Sequence, residues 1–457
     1  MGRGGRMGTG IRVCVMVALT SALLTSSASG RTPVSRGHGP DSSPNILLII
    51  TDDQRVETLT AMPNTQDAFM KEGTSYAEAY TVTNACCPSR ASIFTGQYPH
   101  NHGVITNADA EKLDQDSTVQ RYLDDAGYNT ALAGKYLNRW SEVPPHFDRF
   151  ASLQDDPSGY YFGGSWNVDG TVRTVNSYST DFIGRQSRRF LKDFEAVDST
   201  PWFMVLTPTA PHLPTTPEES FRWSPVEPWE GDPAVFEEDR SDKPPYVQES
   251  ETSIKDIKRT RRRQIRTLLS VDELVAGVDS LLDRLEEGEH TLAFYVSDSG
   301  TLWGEHGLMG KANPYTPAAK VPFMIRWSEH FSAGTTSHEL VATIDIAPTI
   351  LEAVGLVPEV DKPMDGNSLL EPGGHQRLLL TNPARRTFST RTLTYQFVQN
   401  RNQNEVPDFE EYYDLFTDPY QLLNLLGDPD DTNDPDNLAM LRLQLAADRI
   451  CRGELCP

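Results

Sequence analysis

The segment Asn45 to Ile50 (NILLII) places five apolar side chains at adjacent positions. In an extended strand adjacent side chains point to opposite faces, so this run needs a strand covered on both sides. That is the situation of a strand inside a parallel sheet layered between helices. Three later runs have the same character: Trp202 to Leu206, Leu292 to Val296 and Phe323 to Trp327. Between them apolar residues recur at helical spacing, most clearly at 265, 268, 269, 275, 278, 282 and 285. Alternation of strand and helix defines an α/β sheet. Asp52 and Asp53 follow the first run, His212 the second and Asp298 the third. Ligands of open α/β sheets bind beyond the carboxyl ends of the strands, so these groups are expected on one edge.

At 457 residues the chain exceeds the roughly 300 residues over which one core keeps growing, and two unequal units are expected. Residues 1–29 have the charge, apolar core and small-residue order of a secretory leader: Arg3, Arg6 and Arg12, then Val13 to Leu24, then Ser26 to Gly30. Gly30 to Ser43 reads as an unstructured tail, and the fold is expected to begin near Pro44. The large domain is placed at 44–370. It closes on a helix over Asp345 to Gly355, capped by its leading Asp, before the Pro/Gly-rich stretch Pro363 to Gly374. Residues 376–457 are expected to form a small α+β unit, with strand-like segments at Thr392 to Val398 and Tyr412 to Phe416 and a final helix from Asn437 to Ile450.

Export implies an oxidising compartment. Cys14 lies in the leader, leaving Cys86, Cys87, Cys451 and Cys456. Cys451 and Cys456 are expected to pair. Adjacent cysteines are strained if bridged to each other, so Cys86 and Cys87 need another explanation. Forty-one basic against sixty-four acidic side chains give a net charge of -23, which argues against nucleic-acid binding. No later apolar stretch reaches the roughly 20 residues of a membrane span, so no stable anchor is expected. The acidic stretch Gly427 to Asn437 reads as a solvated loop rather than a calcium loop, and the basic run Lys258 to Arg266 as a solvated helix face rather than a glycan-binding patch.

The most specific signal is Cys86-Cys87-Pro88-Ser89-Arg90 followed by Ala91 to Gly96 (ASIFTG). It resembles the signature of type I sulfatases, whose first cysteine is converted to formylglycine by a separate generating enzyme. The stretch Thr51 to Val104, with Thr51-Asp52-Asp53-Gln54 at one end and Tyr98 to Gly103 (YPHNHG) at the other, resembles the N-acetylglucosamine-6-sulfatase branch. The resemblance implies an alkaline-phosphatase-like mixed sheet flanked by helices, with the smaller C-terminal subdomain. It also implies hydrolysis of a sulfated carbohydrate or aryl sulfate. In the implied route one hydroxyl of the aldehyde hydrate attacks sulfur and the alcohol leaves; loss of the second hydroxyl's proton then regenerates the aldehyde and ejects sulfate. Conversion has a physical reason: an exposed thiol is captured as a disulfide in an oxidising compartment, and sulfate esters demand a hard oxygen nucleophile.

By the same resemblance Cys86, Arg90, Lys135, His212 and Lys311 are the catalytic set. Asp52, Asp53, Cys86, Asp298 and Ser299 surround a metal, calcium in preference to magnesium. Hard oxygen donors suit those ions, and adjacent carboxylates repel unless a cation joins them. Two ammonium groups clamp sulfate oxygens while His212 stabilises or protonates the leaving oxygen. Ser299 departs from the usual Asp-Asn-Gly or Asp-His-Gly. Leu137 stands where many sulfatases have a histidine, with Asn138 beside it as a partial substitute. His100, His102 and His306 read as structural. Two rival readings are a phosphate or phosphonate monoesterase on the same fold and a catalytically silent glycan-binding homologue.

Overall fold

The computed structural model describes residues 43–154, 160–196, 200–311 and 313–457. The expected leader, its Cys14 and nearly all of the tail lie outside the described residues. The strands are β1 (Asn45–Thr51), β2 (Thr74–Tyr80), β3 (Asn129–Gly134), β4 (Arg149–Leu153), β5 (Ser165–Val168), β6 (Thr171–Thr174), β7 (Trp202–Thr207), β8 (Thr291–Ser297), β9 (Leu302–Trp303), β10 (Met309–Gly310), β11 (Phe323–Arg326) and β12 (Thr335–Ala342). All but the β9–β10 hairpin form one sheet in the order β12-β2-β11-β8-β1-β7-β3-β4-β5-β6. Its centre, β8-β1-β7-β3-β4, is parallel, while β11 and β5 run against their neighbours. The sheet is therefore mixed.

The continuous apolar runs are explained by two cores, one on each face. Ile46, Leu48 and Ile50 enter one core with Phe203, Val205, Phe294 and Val296. Leu47 and Ile49 enter the other with Met204, Leu206, Ala293 and Tyr295. The helix Cys86–Thr95 packs in the first core through Ala91, Ile93 and Phe94. The helices Ser179–Glu195 and Ile254–Leu285 cover the second. The latter helix starts eleven residues before the expected periodicity at Ile265, capped by Ser253, whose side chain accepts from the Asp256 N–H. Its first three turns are so rich in Lys and Arg that Ile257 is their one buried apolar residue.

A second, antiparallel sheet follows: β13 (Leu378–Asn382), β14 (Thr387–Arg391), β15 (Tyr395–Arg401) and β16 (Pro407–Asp414). It shares a core with the main sheet, in which Tyr80, Val82 and Leu340 meet Leu378, Leu380, Phe397, Leu441 and Leu445. The expected strand at Tyr412 to Phe416 is displaced: β16 ends at Asp414, and Phe416 lies 85% exposed beyond it. The helix after Asp345 spans Ile346–Ala353 without a side-chain cap. Asp345 instead accepts from the Ala342 and Asn367 N–H groups and pairs with His375. The final helix is Leu438–Asp448, and just beyond it Cys451 and Cys456 form the expected disulfide.

Candidate active site

The carboxyl ends of β1, β3, β7 and β8 lead into one cluster. Asp52 and Asp53 leave β1, and Asp53 takes a left-handed backbone (φ +69°) that turns the chain. Lys135 leaves β3 immediately after Gly134. A Cβ at Gly134 would lie 2.2 Å from the Thr207 carbonyl oxygen, so only glycine lets β3 close on β7 there, where the Lys135 N–H donates to that same oxygen. Asp298 and Ser299 follow β8, and His212 lies in the loop after β7.

Cys86 is the first residue of its helix, and Gly96 (φ +67°) closes the other end in the left-handed conformation usual for helix termini. This accounts for the Thr-Gly end of the motif. All ten helical residues are buried. The Cys86 Sγ lies 3.3 Å from Asp52 Oδ1, and Lys311 Nζ approaches it to 2.6 Å from the β9–β10 hairpin. One turn on, Arg90 points to the same side. Its Nε donates to Asp298 Oδ2 (2.8 Å), its Nη1 to the Lys135 carbonyl (2.8 Å), and its Nη2 sits 3.4 Å from Asp52 Oδ2. Lys135 Nζ donates to Asp52 Oδ2 at 2.6 Å, and Lys311 pairs with Asp53. Ser299 Oγ donates to Asp53 Oδ1 at 2.8 Å. His212 Nε2 is the most distant member, 3.8 Å from Asp53 Oδ2. Every residue expected at the site is therefore in this one cluster.

Burial and charge set the protonation states. Burial opposes charge on Asp52, but Lys135, His212, Arg90 and Lys311 together hold it well below the usual carboxylate range. Burial and the neighbouring Asp52 push Asp298 up despite Arg90. Burial, reinforced by Asp52, pushes the Cys86 thiol up to about 12, so the unmodified residue is a neutral thiol near pH 7 and a poor nucleophile. Cys87, also buried, rises to about 11.

The donor set fits a hard divalent cation. Asp52, Asp53 and Asp298 bring carboxylate oxygens together, Ser299 adds a hydroxyl, and one ligand atom each from Asp52, Asp53, Cys86 and His212 lie within 4.8 Å of one another. The three carboxylates are already matched by Arg90, Lys135 and Lys311. A divalent cation would leave the site net positive.

Sequence reasoning missed Tyr160. From the loop between β4 and β5, its half-buried ring meets the His212 ring edge-on at 5.5 Å and lies 6.0 Å from Lys135 Nζ. It lines a small cleft with Lys135, Asn138 and Gln154. His102 is structural, as expected: its Nδ1 accepts from the Val104 N–H and its Nε2 meets Ser92 Oγ.

Residues 44–356 match the Sulfatase family model, and the chain belongs to the sulfatase family. It is 33% identical to the extracellular sulfatase SULF-1 homolog of Drosophila melanogaster, over 72% of this chain and 31% of that protein. The chain thus spans half or less of the length of the extracellular sulfatases it matches. It is 29% identical to human N-acetylglucosamine-6-sulfatase, over 90% of this chain and 86% of that one. Among solved structures it superposes with a TM-score of 0.76 and 23% identity on a protein in complex with its substrate D-glucosamine-2-N,6-O-disulfate, covering 88% of this chain and 97% of that one. The phosphonate monoester hydrolase of Agrobacterium radiobacter gives 0.68 and 20%, covering 88% and 95%. These superpositions show that the fold is the alkaline-phosphatase-like arrangement expected.

Proposed function

We propose that the protein hydrolyses sulfate esters, with a 6-sulfated hexosamine or a related sulfated sugar as substrate and a formylglycine made from Cys86 as nucleophile. The observation that carries this reading is the setting of Cys86. Its side chain sits at a helix N-terminus, within reach of Lys311 and Asp52, yet its own chemistry is switched off by burial. The converted side chain would supply a hydrated aldehyde as oxygen nucleophile, and a calcium ion, in preference to magnesium, would supply Lewis-acid polarisation of the sulfate. Asp52, Asp53 and Asp298 would hold the ion, with Ser299 as a shorter fourth arm.

The remaining steps belong to the chain's own residues. Lys135 and Lys311 bind sulfate oxygens and neutralise charge that shifts in the transition state. The N-terminus of the Cys86 helix adds a partial positive charge. Arg90 fixes Asp298 and Asp52 and steadies the nucleophile's side. His212 delivers a proton to the leaving alcohol oxygen, and the Tyr160 ring holds the imidazole against rotation. Residues 1–29 direct export, a separate generating enzyme matures Cys86, and residues 44–370 carry the chemistry with 376–457 as an appended subdomain. Among the described residues no helix is long and apolar enough to cross a membrane.

The fold shared with phosphonate monoester hydrolases makes that chemistry the second reading. Turnover of 4-nitrophenyl sulfate, 4-nitrophenyl phosphate and a phenylphosphonate monoester by matured protein separates the two. Preference for sulfate, followed by release of sulfate from N-acetylglucosamine 6-sulfate, supports the proposal. Preference for the phosphonate, or binding without turnover of any ester, overturns it.

A further inference from the structure

Lys311 reaches Cys86 from a hairpin held by two residue pairs, Met309 opposite Trp303 and Gly310 opposite Leu302. A ribbon of that size is not stable alone, and a lysine side chain gives up much rotamer freedom when held at one point. The hairpin is fixed from outside at its tip. Glu305, 1% exposed, accepts from the Trp303 N–H through Oε2 and from Arg55 Nη1 through Oε1, both at 2.5 Å. The Arg55 guanidinium also lies 4.3 Å from the centre of the Trp303 ring, whose Nε1 donates to Gln264. On its other side the tip is held by His306, whose Nδ1 meets Glu237 Oε2 at 2.7 Å and whose carbonyl accepts from Arg240.

Arg55 follows Asp53 by two residues on the loop leaving β1. One buried ion pair thus joins the loop carrying Asp52 and Asp53 to the hairpin carrying Lys311, across 250 residues of sequence. A buried pair is a poor source of net stability, because desolvation offsets most of its attraction. What it supplies is registration. Lys311 must meet Cys86 and Asp53 together, and errors of an ångström in such placements are costly to catalysis.

We propose that Arg55 and Glu305 are positioning residues: their ion pair sets the Lys311 ammonium relative to Cys86 and the carboxylates of the β1 loop. This rests on the sulfatase reading above, in which Lys311 binds the sulfate group.

The test is a double-mutant cycle on matured full-length enzyme, built from Glu305→Gln and Lys311→Ala and read as kcat/KM for 4-nitrophenyl sulfate, with thermal melting recorded for every variant. Glu305→Gln is expected to lower kcat/KM by roughly 10- to 100-fold when Lys311 is present and by less than about twofold in the Lys311→Ala background. Its effect on melting should be the same in both backgrounds. An equal loss of activity in both backgrounds overturns the proposal, since the pair then acts on the site through general integrity. So does full activity of Glu305→Gln alone. Arg55→Lys, which keeps a buried cation, replaces Glu305→Gln in the cycle if the latter does not accumulate folded. Failure of the sulfatase reading shows separately, as parent enzyme that does not turn over the ester, and takes this proposal with it.

Discussion

Replacing Arg90 with methionine removes the cation that stands between two fully buried carboxylates. Arg90, Asp52 and Asp298 are each 0% exposed, and the guanidinium touches both acids as well as the Lys135 carbonyl. Methionine fills much of the vacated volume, so the cost is electrostatic rather than a cavity. Breaking a buried pair from one side costs about 3–5 kcal/mol. Asp52 keeps Lys135, whereas Asp298 loses its closest cation, so most of the loss falls on Asp298. That carboxyl is already raised by burial and by Asp52, and without Arg90 it rises further. A carboxyl raised on folding destabilises the native state above its unfolded pKa, and the penalty disappears as pH falls through the folded value. The deficit of the Arg90→Met variant should therefore be about 3–5 kcal/mol near neutral pH and shrink on acidification. Urea unfolding followed by tryptophan fluorescence, in chelator at about pH 7 and about pH 5, measures it directly. A deficit under about 1 kcal/mol, or one that does not shrink in acid, refutes the reasoning. Arg90→Lys should recover only part, because one ammonium cannot reproduce the three contacts.

Cys86→Ala should abolish ester hydrolysis while moving stability by no more than about 1 kcal/mol, whereas Cys87→Ala, which truncates a core residue outside the charge cluster, should keep turnover; initial rates and melting curves distinguish them. His102 is held neutral, its pKa lowered to about 3 by burial and by His100. A base depressed on folding contributes stability above its unfolded value that is lost as pH falls toward the folded one. Stability should thus fall by up to about 1.4 kcal/mol per pH unit below about 6.5 through this residue, and His102→Gln should flatten that limb of the urea-stability profile. Ser299→Ala removes the hydroxyl that orients Asp53 and should weaken calcium binding by about 1 kcal/mol, or roughly fivefold, in a calorimetric titration of chelator-stripped protein. Unchanged affinity assigns Ser299 no part in the metal site.

The parts of the fold legible in the sequence are those buried on both faces. β1, β7, β8 and β11 announce themselves because each carries an unbroken apolar run, Ile46 to Ile50, Trp202 to Leu206, Leu292 to Val296 and Phe323 to Ile325, buried on both faces. β2 (TSYAEAY) and β12 (TTSHELVA) do not, since Glu78 and the first half of β12 face partly outward at the sheet's edge. β5 and β6 form the opposite edge, and β6 is exposed throughout. The Cys86–Arg90 motif is legible because a helix needs its functional residues one turn apart, within a single contiguous string. Asp52, Asp53 and Asp298 are legible because strand ends are. Arg55 and Glu305 carry no such signal: each is an ordinary charged residue until folding brings them together. Tyr160 is hidden for the same reason, as one of three consecutive aromatics, Tyr160, Tyr161 and Phe162, in a loop that has no periodicity. Asp345 shows the opposite failure, a good capping residue by type whose carboxylate is drawn into other contacts.

The most direct test of the central claim is mass spectrometry of the peptide containing Cys86 and Cys87, taken from protein purified from its native host and active on 4-nitrophenyl sulfate. The account predicts an aldehyde or its hydrate at Cys86 beside an unmodified Cys87. Active protein in which Cys86 remains a thiol, or in which either cysteine is disulfide-bonded, would contradict it.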